Sequence, residues 1–398
     1  MRLRLINLLK MHPFWVNLVW ACARLVLTVW GWFVPIREKT MLFASFGGRK
    51  FDDSPKAIYD EICRRSEFAD WTLIWAFVEP ETFDLPRGKK IRVDTPAFFH
   101  ALLYSRVWVS NSCMDRGIKL RRKGVVKVET WHGSAFKKGT GDENQNTIGG
   151  EKTRTHVGPR DSETIRCVQS DYDLEVYMRG FHATEDAFLK CGFPRNDALF
   201  RYTAEDVARI RESLHIPKEK QVILYAPTYR EYLLNEDREC YLAPPIHLDK
   251  WERMLGDRYV LLMRAHYAVS ASLGVKDTDF VKDVSAYPSL NDLYAIADCM
   301  ISDYSSTFID YSILGRPMFS FAYDLEEFEA KRGFYFDYES TVPCPRVDRD
   351  EDSLLESILS MNEDALRRKA EAFRSEHAPY GGHATEAVVD AILKRLST

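Results

Sequence analysis

The chain has 398 residues, 45% of them apolar and 29% charged, which is enough for two domains with ample cores and too ordinary a mixture for long disorder. Its 55 Lys and Arg against 59 Asp and Glu leave a net charge of −4, which sets a general nucleic-acid binder aside. Eight scattered cysteines form no CxxC pair, so neither a zinc site nor a disulfide framework is signalled, and a reducing compartment is the simplest setting.

The first element is compositionally extreme. Phe14 to Val34 is apolar apart from Asn17, Arg24 and Thr28, with Trp15, Trp20, Trp30 and Trp32 towards its ends. Arg2, Arg4 and Lys10 precede it, and Arg37 and Lys39 follow. Its length suits a membrane span, but Arg24 near the middle would cost roughly 3 kcal/mol there. Trp-rich ends and basic flanks equally suit a helix lying in the interface, and a core helix is the plain alternative. The expectation is a membrane-surface anchor over residues 1–38, with the rest of the chain in the cytosol.

Strand and helix signals alternate from residue 40. Strands are expected at Met41–Ser45, Trp71–Phe77, Ile91–Val93, Val107–Ser110 and Val125–Thr130, and a helix over Pro96–Ser105. This is the rhythm of a parallel sheet with crossover helices. The Gly-rich polar stretch Gly139–Arg160 reads as a long loop, and Cys167–Ser170 and Ala187–Phe193 continue the first domain. Helical Ala204–Leu214 and the polar run from Pro217 mark a crossing, placing a first domain at 39–215 and a second at 216–398. A second alternation runs through Val222–Tyr225, Tyr259–Met263, Phe280-Val281, Leu293-Tyr294, Cys299–Ser302 and Met318–Ala322. Two consecutive α/β domains with a cleft between them follow, and ligands of such folds sit at the carboxyl ends of the strands.

The most informative stretch is ISDYSSTFIDYSILGRPMFSFAYD, residues 301–324. A strand ends at Ser302 and Asp303. Ser305, Ser306 and Thr307 then stand where a helix begins, and Gly315-Arg316-Pro317 stops it. A lone serine there would read as a cap. Three hydroxyls after an acidic residue favour a phosphate. Other polar groups also lie just beyond strands: His132 with Lys137 and Lys138, the run Tyr225–Arg230 containing Thr228, and Arg264 with His266. Together they suit a pyrophosphate site with an acid/base pair. No acidic cluster faces these cations, so neither a metal nor a cofactor is required.

The segments TWHGSAFKK (130–138), GFPRND (192–197), YAPTYR (225–230), Arg264-Ala265-His266, DYSSTFIDYSILGRP (303–317) and RGFYFDY (332–338) resemble the CDP-glycerol glycerophosphotransferase family. These enzymes prime or polymerise teichoic acids and related capsule polymers. The resemblance covers about residues 100–340. It implies an α/β, GT-B-like architecture: two Rossmann-like domains facing a cleft, on the inner face of the membrane. Its partners would be CDP-glycerol, a lipid-linked or polymeric glycan acceptor and the membrane surface, with no nucleic acid. His132 would be the general base. His266 would meet the donor pyrophosphate and assist the leaving group. Thr228, Arg230, Arg264, Ser305, Ser306 and Thr307 would bind the donor, and Lys137 and Lys138 the acceptor. Arg195 and Asp197 look structural or cleft-lining, while Asp324 and Glu327 meet the donor's sugar or simply lie on the surface. Two departures concern specificity: Ser134-Ala135-Phe136 replaces the usual Thr-Pro-Leu, and Tyr267 follows His266 where proline is usual. Within the class, CDP-ribitol or another CDP-alditol is the rival donor. A GT-B glycosyltransferase using a nucleotide sugar, or a non-catalytic membrane adaptor, is the rival function.

Overall fold

The computed structural model describes residues 13–139, 164–228, 230, 245–264 and 277–397. His266 and nearly all of the loop expected over 139–160 lie outside the described residues.

The strands form two sheets. The first holds β1 (Arg37–Ala44), β2 (Thr72–Phe77), β3 (Lys89–Arg92), β4 (Ser105–Ser110), β5 (Val126–Glu129), β6 (Thr164–Val168) and β7 (Phe188–Lys190), in the order 3-2-1-4-5-6-7. The second holds β8 (Gln221–Tyr225), β9 (Tyr259–Met263), β10 (Val281–Asp283), β11 (Cys299–Ser302), β12 (Met318–Phe321) and β13 (Val347–Asp348), in the order 10-9-8-11-12-13. Every pairing within them is parallel. In both sheets the strand order reverses beside the first strand, between β1 and β4 and between β8 and β11. Ligand crevices of doubly wound folds open at such points.

Burial follows the pleat. Met41 and Phe43 of β1 face one core with Trp75 and Phe77, while Leu42 and Ala44 face the other with Ile74 and Ala76. Both faces of the second sheet are covered in the same way: Val222 and Leu224 on one side, Ile223 and Tyr225 on the other. Strands buried on both faces read as continuous apolar runs, which is why most were legible. Leu293-Tyr294 is the exception. It lies in the helix Leu290–Ile296, whose Ser289 hydroxyl accepts from Asp292 N. A two-residue apolar pair cannot tell a strand from a helical turn.

Two expectations about the ends of the chain are corrected. The N-terminal segment is a helix, Pro13–Phe33, but it does not stand apart as a separate anchor. Leu27 and Val34 are buried against Phe98, Leu102 and Leu103. Arg122 donates to the carbonyls of Gly31 and Val34, and Trp30 stacks on His100 at 5.7 Å. Among the described residues no helix is long and apolar enough to cross a membrane. The second correction concerns the span 216–398. Helix Ala384–Leu396 returns to the first sheet, where Val388, Val389 and Ile392 complete the core around Phe43 and Trp75. Asp197 caps it from a distance, accepting from Ala384 N at 3.0 Å and Thr385 N at 2.7 Å. Asp197→Ala should therefore cost about 1–2 kcal/mol, the range of a lost N-cap, read as a lower urea midpoint.

Candidate active site

His132 lies two residues past Thr130 at the carboxyl end of β5, and the backbone there is strained. Trp131 has φ +59° and, across the loop, Phe46 has φ +48°; both are unusual for residues with a Cβ. The strain aims the imidazole. Trp131 lies 4.3 Å from it between ring centroids and Phe46 5.9 Å. His132 Nδ1 is 2.9 Å from the Asn111 carbonyl oxygen. A carbonyl only accepts, so Nδ1 carries the proton and Nε2 keeps its lone pair. Asn111 is fully buried, and its side-chain oxygen accepts from Phe46 N at 2.8 Å, so one residue holds both rings.

The His132 ring is solvent-accessible within the cleft, yet surrounded by the cleft walls. That crowding strips water from an imidazolium and lowers its pKa. The bond to Asn111 and the charge of Asp53 oppose the shift, while Arg195 and Lys137 reinforce it. The neutral, base-competent form is thereby favoured near neutral pH.

The loop after His132 crosses to the second domain. A Cβ built on Gly133 would fall 2.6 Å from Ser306 Oγ, so a larger residue here would force that hydroxyl to move. Phe136 is 1% exposed and packs among Phe308, Phe336 and Tyr338 in the second domain's core. The Ser134–Phe136 departure therefore has a structural consequence, a phenyl plug between domains. Lys137 bridges to Phe334, and Lys138 N donates to Gly333 O at 2.9 Å, which ties the RGFYFDY segment to this loop. Lys137 Nζ lies over the Phe328 ring.

On the opposite wall, Ser305, Ser306 and Thr307 are half-buried at the end of β11. Thr307 Oγ1 is 3.1 Å from Ser302 Oγ, and Ser305 Oγ accepts from Thr307 N. Thr228 lies on the neighbouring strand end. Its N–H donates to Asp303 at 2.7 Å, and its hydroxyl is buried with no partner among the described residues. A buried hydroxyl without a partner is costly, so it marks a place where a ligand atom would fit.

Arg230 was expected at a phosphate, and the structure corrects this. Its guanidinium is completely buried. It pairs with Asp303 at 2.9 Å and with both oxygens of Asp324 at 2.8 and 2.9 Å, and it donates to Thr228 O. Tyr304 and Phe328 cover its faces. Burial alone would lower its pKa, but the two carboxylates more than reverse that. Arg230 thus braces the strand ends from beneath. Asp324 is committed to the same network, and Glu327 is a surface residue paired with Lys331. Arg264 is also largely structural: it is buried and donates to the Val284 and Tyr287 carbonyls. Burial lowers its pKa, and Asp52 across the cleft is among the groups opposing this.

Three neighbours of the candidate site carried no site assignment from the sequence: Asn111, the β1 loop and Asp310. The β1 loop carries Lys50 and Asp52, which burial shifts down and up in pKa respectively. Its signal was SFGGRKFDDSP directly after a strand, with Phe46, Gly47, Gly48 and Asp53 all at positive φ. Asp310 accepts from Arg195, Asn196 and Gln169 of the first domain. Among the described residues, no group of His, Cys, Asp and Glu is arranged to hold a metal ion.

Two parallel doubly wound domains, with an imidazole on one wall and hydroxyls on the other, define a GT-B-like transferase cleft. The chain belongs to the CDP-glycerol:poly(glycerophosphate) glycerophosphotransferase family, whose model matches residues 26–394. It is 33% identical over 319 residues to a teichoic acid poly(glycerol phosphate) polymerase of Staphylococcus epidermidis, covering 78% of this chain and 44% of that protein. It is 30% identical over 337 residues to the teichoic acid glycerol-phosphate transferase of Staphylococcus aureus, covering 82% and 85% respectively. The solved structure of the wall teichoic acid polymerase TagF superposes with a TM-score of 0.81 at 30% identity, over 91% of this chain and 90% of that one. The chain thus spans less than half of one relative and most of the other.

Proposed function

We propose that the protein transfers glycerol phosphate from CDP-glycerol to a hydroxyl of a lipid-linked or growing cell-surface polymer, of teichoic acid or capsule type, releasing CMP. The observation that carries this reading is the His132 tautomer, which leaves a lone pair at Nε2 on the residue next to Gly133, itself close against Ser306 of the facing domain. His132 takes the proton of the attacking hydroxyl, its oxygen bonds to the phosphorus bearing glycerol, and the bond to CMP breaks. Thr228, Ser305, Ser306 and Thr307 hold the pyrophosphate oxygens, and Arg264 contributes positive charge nearby. His266, two residues beyond Arg264, assists the departing phosphate. Lys137 and Lys138 border the acceptor side. The test is incubation with CDP-glycerol, CDP-ribitol and nucleotide sugars in the presence of acceptor. CMP release from CDP-glycerol supports the reading. Release of a nucleoside diphosphate from a sugar donor replaces it with glycosyl transfer.

The donor wall has its own expected result. Thr228→Val, and Ser305→Ala with Ser306→Ala, weaken CDP-glycerol binding by roughly tenfold or more, since each hydrogen bond to a charged group is worth about 1.5–3 kcal/mol. Calorimetry reads this on variants with unchanged melting temperature. Unaltered affinity would put the pyrophosphate elsewhere.

The N-terminal helix supports action at the cytoplasmic membrane face. Leu18, Val19, Leu25, Val26, Val29, Trp32 and Phe33 are exposed, and their spacing puts them on one side of the helix. Trp32 and Phe33 are 74% and 79% exposed. This stripe faces away from the core contacts of Leu27 and Val34, and suits burial in a lipid interface. Replacing Leu25, Trp32 and Phe33 with serine should abolish cosedimentation with anionic lipid vesicles and leave the fold intact. Undiminished sedimentation would remove the helix as the contact.

A further inference from the structure

His132 and the hydroxyl turn belong to different domains, so their separation depends on how the domains are fastened. One fastening is a buried polar cluster centred on Asp310, on the helix Thr307–Ser312 that the hydroxyl turn opens. Among the described residues, the side-chain donors to its carboxylate all come from the first domain. Gln169 Nε2 at 3.1 Å and Asn196 Nδ2 at 2.6 Å reach Oδ1, and Arg195 reaches Oδ2 at 2.8 Å. Asp310, Asn196 and Gln169 are 4%, 1% and 0% exposed. The same groups run back to the base. Gln169 Nε2 also donates to Ser134 Oγ at 2.9 Å, two residues past His132. Arg195 extends to Asp53 at 3.2 Å, on the β1 loop whose Phe46 ring packs on His132. The second domain returns the grip, with Asn291 Nδ2 donating to the Arg195 carbonyl.

We propose that Asp310 is a positioning residue that fixes the separation of the hydroxyl turn and His132 through Arg195, Asn196 and Gln169. The proposal rests on the reading of His132 as base and the turn as donor site. Buried ion pairs are weak stabilisers compared with apolar packing, but their directional bonds specify one geometry. Cohesion alone would be met by contacts such as the Phe136 plug. What the cluster adds is register, since its bonds begin three residues from Thr307 and end two residues from His132. Misplacement by about 1 Å is enough to cost on the order of 10²-fold in rate.

The test uses Asp310→Asn, Arg195→Lys and the double variant in the full chain. It measures kcat, the KM for CDP-glycerol, donor affinity by calorimetry and the melting temperature. Both single variants are expected to lose about tenfold to a hundredfold in kcat while donor affinity stays within roughly threefold. The double variant is expected to be no slower than the slower single, because both break one unit. Hydrogen exchange should quicken together at 130–136 and 303–309. A folded Asp310→Asn variant with kcat within about twofold of the parent overturns the proposal, as does a loss explained by weaker donor binding. If these variants do not fold, Asn196→Ala, which keeps the ion pair, must show the same split. His132→Ala separates the two levels. Full activity there sinks the base assignment, whereas an inactive His132→Ala beside a full-speed Asp310→Asn sinks only the positioning role.

Discussion

Replacing His132 with alanine is expected to lower turnover by about 10²–10⁴-fold while CDP-glycerol still binds, the usual contribution of a positioned general base. The ring lies on the first domain, whereas the hydroxyls proposed to hold the donor lie on the second, so its removal takes no donor contact away. The pH profile adds an independent reading. Crowding lowers the pKa of His132, so the acid limb of kcat/KM should fall below the ordinary histidine value of about 6.5. Asn111 offers a check without touching the ring. Asn111→Ala keeps the carbonyl that fixes the tautomer but loses the bond to Phe46 N, so it should lower kcat less than His132→Ala does. Loss of donor binding in His132→Ala would move the imidazole to the donor side.

Arg230→Ala should have the largest effect on stability, roughly 3–5 kcal/mol, because it leaves Asp303 and Asp324 buried without their cation. That is a large share of the 5–15 kcal/mol typical of a folded protein. Lysine would rescue little, since one ammonium cannot reproduce the fork that reaches both carboxylates and the Thr228 carbonyl. Acid titration distinguishes this from a simple packing defect. Burial alone would raise the Asp324 pKa, but the bonds and charge of Arg230 lower it overall. A depressed carboxylate contributes stability that is present above its unfolded value, about 3.9, and lost as pH falls through its folded value. The parent should therefore lose this contribution on acidification below about pH 4, and Arg230→Ala should not. Urea melts at pH 7 and pH 3 measure both. A folded Arg230→Ala variant of parental stability with weakened donor binding would return Arg230 to the phosphate.

The sheets were legible because parallel strands covered on both faces leave unbroken runs such as Tyr259–Met263. Candidate site residues could be picked out where polar groups follow such runs directly, as at His132 and at Ser305–Thr307. Sequence position says that a side chain is near a strand end but not which way it points. Thus Arg230, two residues from Thr228, was expected at the phosphates, yet its guanidinium turns into the protein against Asp303 and Asp324. Phe136 shows the converse. Read along the chain, the Ser134–Phe136 departure concerns specificity, yet the Phe136 ring serves the opposite domain's core. Asn111 gave no signal, because its contact with the His132 ring is through a main-chain carbonyl that any residue possesses. The N-terminal helix was recognised by its apolar length, but the face that docks on Leu102 and Leu103 is as apolar as the exposed one, and composition cannot divide them.

The return of helix Ala384–Leu396 to the first sheet sets an order of events during synthesis. Phe43 and Trp75 leave the ribosome early, but the groups that close their core, Val388, Val389 and Ile392, are more than three hundred residues away in the chain. The two cores of the second sheet draw on Phe136, Leu199 and Ile210, which precede that sheet in the chain, and on no residue later than Ala378. The domain translated first is thus the last to be sealed. Until then it presents an open aromatic face to whatever chaperone attends the nascent chain.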